Sequence, residues 1–78
     1  FELRHNIKDI SYDEINAAFV EVGWPRRDEQ LLRKAFQQSV QNVFVYQGAT
    51  LVGFGRVVGD GVWYGNIVDV VVRPQFQK

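Results

Sequence analysis

The sequence predicts an α+β fold in which the order is strand, helix, helix, strand, strand, strand. Three observations carry this reading. Ile15, Ala18, Phe19 and Val22 recur at helical spacing, and Leu31, Leu32, Ala35 and Phe36 do so again further on. The periodicity then changes, and three β-branched or aromatic runs follow: Val43 to Tyr46, Leu51 to Val58 and Val62 to Val72. The turns between them, Gln47-Gly48-Ala49-Thr50 and Gly59-Asp60-Gly61, are too short for anything but an antiparallel meander.

Each element has a local reason. Phe1-Glu2-Leu3-Arg4-His5 alternates apolar and polar, as a half-buried strand does. Ser11-Tyr12-Asp13-Glu14 reads as a capping box: the Ser11 oxygen accepts from the Glu14 N–H, and the Glu14 side chain reaches back to the Ser11 N–H. Gly23 ends the first helix. Trp24-Pro25-Arg26-Arg27 is a short link, Asp28 caps the second helix, and Gln37-Gln38-Ser39 let it fade. Gly53 and Gly55 share one face of their strand and permit close approach of a neighbour. The last strand carries Trp63 and Tyr64 on opposite faces, and Pro74 ends its pairing.

Composition bounds the function classes. The 78 residues allow one small domain, which buries only about 60% of its unfolded surface. There is no cysteine, so neither a disulfide nor a thiolate metal site can add stability. Nine basic and nine acidic residues cancel, which speaks against a nucleic-acid groove or an acidic membrane surface as partner. No window approaches the roughly 18 apolar residues of a membrane span. One histidine, His5, makes no metal site and is read as the end of a strand. No secretory signal pattern opens the sequence, Phe1 is not an initiator, and a cytoplasmic location is the default expectation.

Two phrases carry a resemblance. Leu51-Val52-Gly53-Phe54-Gly55-Arg56 and Ile67-Val68-Asp69-Val70-Val71-Val72-Arg73-Pro74, in this order and with Gln77 three positions past Pro74, resemble the central strands of the GNAT superfamily, the acetyl-CoA-dependent N-acetyltransferases. In that family the strand end runs into a phosphate loop of pattern Gln/Arg-x-x-Gly-x-Gly/Ala. Gln77 and Lys78 match its first two positions. The resemblance implies that residues 1–78 are the N-terminal half of a GNAT domain, cut inside its cofactor motif.

The resemblance also assigns roles. Asp69 is a carboxylate within an apolar run, where desolvation is costly and raises the pKa unless the group is paired. Family members are similar in using a carboxylate on this strand, or a water it holds, to take the amine proton. Two roles compete for Asp69: a catalytic base that also binds substrate, or a structural carboxylate accepting from Arg56 or from backbone donors. The backbone of Val70, Val71 and Val72 is expected to pair with the pantetheine arm of acetyl-CoA like an added strand, the alternative being an ordinary buried strand. Gln77 and Lys78 would open the pyrophosphate loop; without its glycines they are a solvated tail. Trp24 lies in the segment that covers the acceptor site in the family, as a substrate contact or as a lid on the core. Arg26 and Arg27 either attract an acidic acceptor or form a solvated surface. Tyr64 is read as packing and Asp60 as a turn residue.

The function implied is transfer of acetyl from acetyl-CoA to a primary amine, on a small molecule or a peptide, by direct attack and with no metal. Asp69 takes the proton, and the Val70–Val72 backbone positions the thioester carbonyl. The rival reading is a non-catalytic half-domain that forms a homodimer or is completed by another polypeptide, because an open strand edge and an uncovered apolar face invite pairing.

Overall fold

The computed structural model describes residues 1–77. Its elements are β1 (Glu2–Arg4), α1 (Tyr12–Glu21), α2 (Glu29–Gln38), β2 (Gln41–Gln47), β3 (Thr50–Gly59) and β4 (Gly65–Val72), followed by a 3₁₀ turn over Pro74–Phe76. The strands form one antiparallel sheet in the order β1-β2-β3-β4. The expected element order and the meander are therefore present.

Both helices lie on one face of this sheet. Ile15, Ala18 and Phe19 of α1 and Leu32 and Phe36 of α2 close over Phe44, Tyr46, Leu51, Phe54 and Val71. The aromatic rings meet edge-on or tilted: Phe19 and Phe54 have centroids 5.2 Å apart, and Phe36 and Phe44 5.4 Å apart. Leu31 departs from the expected stripe and is 67% exposed. It follows the Asp28 cap, whose Oδ2 accepts from its N–H at 3.0 Å, and that phase turns Leu32 inward instead.

The end of α1 fixes the link that follows. Gly23 has φ +90°, the Gly23 N–H reaches the Val20 carbonyl, and the Trp24 N–H reaches the Phe19 carbonyl at 2.8 Å. This is a Schellman stop, and its usual apolar contact is present as Trp24 stacked on Phe19, centroids 5.5 Å apart. At the other end, Ser11 caps as expected, with its Oγ accepting from the Glu14 N–H at 3.3 Å. The Glu14 side chain does not close the capping box. Its Oε2 accepts from the Leu51 N–H at 3.1 Å, beside the extra residue Val52 in the β2–β3 register, and so ties helix to sheet.

The last strand starts later than its composition suggests. Asp60 Oδ1 accepts from the N–H groups of Val62, Trp63 and Tyr64 at 2.8, 3.0 and 3.1 Å. Three donors on one carboxylate hold residues 60–64 as a loop, and pairing begins at Gly65. Those amides hold the Asp60 carboxyl below its ordinary value. Trp63 is 84% exposed, and Tyr64 stands clear of the core instead of packing on it.

Candidate active site

Asp69 sits on a break in the β3–β4 ladder. Phe54 pairs with Val71 and Arg56 with Val68, so Asp69 and Val70 together face the single residue Gly55. This is a β-bulge, and Asp69 takes its left-handed conformation with φ +52°. It is the only non-glycine residue with positive φ among the described residues. Aspartate tolerates that region better than most side chains. The bulge swings the carboxylate toward the helix layer, where two arginines meet it.

Arg56, on β3, donates from Nε to Asp69 Oδ2 at 2.8 Å and from Nη1 to Ser39 Oγ at 3.2 Å. Arg27, from the link between the helices, donates from Nη1 and Nη2 to the two carboxylate oxygens at 3.2 and 3.3 Å. The side chains of Asp69, Arg56 and Arg27 are 15%, 20% and 40% exposed. Burial acts to raise the Asp69 pKa. The hydrogen bonds and charges of Arg56 and Arg27 together outweigh it and hold the carboxyl below its ordinary value. This corrects the raised value expected for a carboxylate in an apolar run: the run is apolar on β4 itself, but the partners come from β3 and from the helix link.

Arg27 reaches Asp69 because Asn16 holds the link in place. The Asn16 amide donates to the Arg27 carbonyl at 2.9 Å, and its Oδ1 accepts from the Arg27 N–H at 2.8 Å. Asn16 is buried on the apolar side of α1. The Arg27 guanidinium lies over the Phe19 ring at 4.5 Å and 5.9 Å from the centre of Trp24. Trp24 and Asp69 thus belong to one site, joined through Arg27. The pair Arg26-Arg27 is accordingly not uniform, since Arg27 is bound to the site. A polar residue among the apolar positions of α1 was the one sequence signal for this arrangement.

The other expected site residues lie along β4 and beyond it. The Val71 side chain belongs to the core under the helices, whereas Val70 and Val72 face the opposite side of the sheet. There, with Val43, Val45, Val57 and Ile67, they line an open apolar groove. β4 pairs with β3 alone among the described strands, so its outer side is a sheet edge. The Gln77 side chain donates from Nε2 to the Val72 carbonyl at 2.6 Å, and the Gln77 N–H turns to the Pro74 carbonyl at 3.2 Å. Lys78 lies outside the described residues. Among those residues no three acidic or histidine side chains gather as metal ligands, and no helix is long and apolar enough to cross a membrane.

Native-state ion pairing sets a pH dependence. Glu21 pairs with Arg73, Nη2 to Oε2 at 2.6 Å, and this bond holds the Glu21 carboxyl down, as the arginines do for Asp69. A carboxyl depressed on folding adds stability above its unfolded pKa, about 4, and loses it as pH falls through the lower folded value. Melting temperature by circular dichroism is therefore expected to hold near neutrality and to fall from about pH 4 downward. Glu21→Gln flattens that fall; an unchanged profile in this variant contradicts the pairing.

The chain has relatives among known proteins. No family model matches the chain. It is 39% identical over its whole length to GCN5-related N-acetyltransferase 1, chloroplastic, of Arabidopsis thaliana, covering 41% of that protein. It is 35% identical over 99% of its length to Serotonin N-acetyltransferase 2, chloroplastic, of Oryza sativa subsp. japonica, covering 40% of it. In fold it matches a probable acetyltransferase from meticillin-resistant Staphylococcus aureus with TM-score 0.79 at 24% identity, covering 97% of this chain and 57% of that one. Over its whole length the chain is similar to the N-terminal part of proteins named as GCN5-related N-acetyltransferases. It spans about two fifths of the length of the curated relatives. Their chloroplastic names give the cytoplasmic expectation no support.

Proposed function

We propose that this chain supplies the acceptor side and the central cofactor-binding strand of an N-acetyltransferase that uses acetyl-CoA and a primary amine. The single observation that carries this is Asp69, held on a bulge at a partly open site beside Trp24, in a chain whose relatives are named N-acetyltransferases. Acetyl-CoA supplies the acetyl group as a thioester. The β4 edge at Val70 and Val72 suits its extended arm, with Gln77 released from the Val72 carbonyl. Asp69 attracts the acceptor's ammonium and receives its proton, directly or through water. Because its pKa is depressed, it acts more as an anchor for the cation and a relay to water than as a strong base. The amine then attacks the carbonyl carbon, the carbon–sulfur bond breaks, and CoA leaves as a thiolate that takes up the second proton shed by the acylated nitrogen. Trp24, part-exposed and stacked on the buried Phe19, gives the acceptor side a ring surface suited to an arylalkylamine, the class to which the serotonin of one relative's name belongs.

A second reading rests on the apolar groove across the open sheet face. A surface of this kind suits cover by further polypeptide, from a longer protein or from a second copy of this chain. One calorimetric titration with acetyl-CoA, followed by an acetyl-transfer assay on 2-phenylethylamine, separates the two readings. One-to-one binding with transfer is expected. Absence of both leaves the half-domain reading.

A further inference from the structure

We infer that the Arg27 guanidinium is an internal stand-in for the substrate's cation, occupying the ammonium site formed by Asp69, Phe19 and Trp24, and that the acceptor binds by displacing it. The inference rests on the amine-acceptor reading of this site.

The argument starts from what surrounds the guanidinium. It faces a carboxylate on one side and the Phe19 ring, at 4.5 Å, on another. A carboxylate beside aromatic faces is the chemistry that receives an organic ammonium. In this molecule the site already holds a cation, one that belongs to the chain.

The two arginines on Asp69 are not equivalent. Arg56 is the closer, at 2.8 Å, is tied a second time to Ser39, and stands on a paired strand. Arg27 makes longer contacts, 3.2 and 3.3 Å, stands on a link, and keeps the more exposed side chain. With longer contacts and the more exposed side chain, Arg27 is the arginine that gives way while Arg56 stays. Its departure does not require the link to move, because Asn16 holds the Arg27 backbone and not the guanidinium. The exchange also conserves charge: one cation leaves the carboxylate as another arrives. Once Arg27 is gone, one of the two charges that depress the Asp69 carboxyl is gone with it.

The test is the affinity of the protein for 2-phenylethylammonium, with Arg27→Gln and Arg27→Lys beside the wild type. Arg27→Gln is expected to bind about tenfold more tightly, because the competitor is removed while the ring surface remains. Arg27→Lys, which keeps the charge, is expected to stay within about threefold of the wild type. Equal or weaker binding in Arg27→Gln overturns the inference. So does an equally large gain in Arg27→Lys, or no binding in any of the three proteins. Binding is read without acetyl transfer. Displacement without transfer therefore sinks the catalytic reading and leaves this one standing, and transfer without any Arg27 effect does the reverse.

Discussion

Replacing Asp69 by alanine is expected to lower acetyl-transfer turnover in the complete enzyme by about two orders of magnitude or more. In the proposed mechanism the substitution removes the carboxylate that anchors the amine and takes up its proton. It also places alanine at φ +52°, a region that costs a non-glycine residue roughly 1–2 kcal/mol. Asp69→Asn separates the two effects. Asparagine tolerates this backbone conformation as aspartate does, but it carries no charge. Turnover is expected to fall as far in Asp69→Asn as in Asp69→Ala, with the added loss of stability confined to alanine. Near-normal turnover in a folded Asp69→Asn protein would leave Asp69 as a structural partner of Arg56 and remove it from the chemistry.

The second large effect is on stability. A Cβ at Gly53 would lie 2.5 Å from the Val71 carbonyl oxygen and 3.3 Å from the Val72 Cα. Both obstacles are backbone, so no rotamer change relieves them. Either β3 or β4 must shift, and β4 carries the Asp69 bulge. Gly53→Ala is expected to cost about 2 kcal/mol or more, within the range for forced overpacking. The sign is informative, because alanine in place of glycine at a site that accepts it stabilises by about 0.4–1 kcal/mol through the unfolded chain. Urea denaturation decides between them. A gain in stability would mean that β4 does not press on Gly53 in solution.

Much of the fold was legible because its signals are local. Helical spacing located Ile15, Ala18 and Phe19 at the core, and Gly23 marked the end of α1 before the stacked Trp24 was seen. Some expectations miss because a side chain's partner lies far away in sequence, others because a nearby carboxylate takes backbone amides. Glu14 satisfied the capping-box pattern, yet its carboxylate bonds to Leu51, 37 positions on. Trp63 and Tyr64 look like strand residues until Asp60 takes their amides. At the site, Asp69 stood out as the one carboxylate in an apolar run, and Arg56 was legible as its partner. Arg27 was not, because its position depends on Asn16 and on the path of the link between the helices. The bulge itself leaves no mark in composition. It arises from the two-against-one count between β3 and β4, and only the register reveals it.

The two hydrogen bonds between Asn16 and the Arg27 backbone set a limit on kinetics. With the main chain held, the proposed displacement of the guanidinium needs rotation about side-chain bonds alone. Exposed side chains change rotamer in picoseconds to nanoseconds, whereas enzymes turn over on the order of ten times per second. An opening that fast is at equilibrium throughout each catalytic cycle. In the proposed exchange its cost therefore falls on KM and leaves kcat untouched, and a saturating acceptor hides it completely.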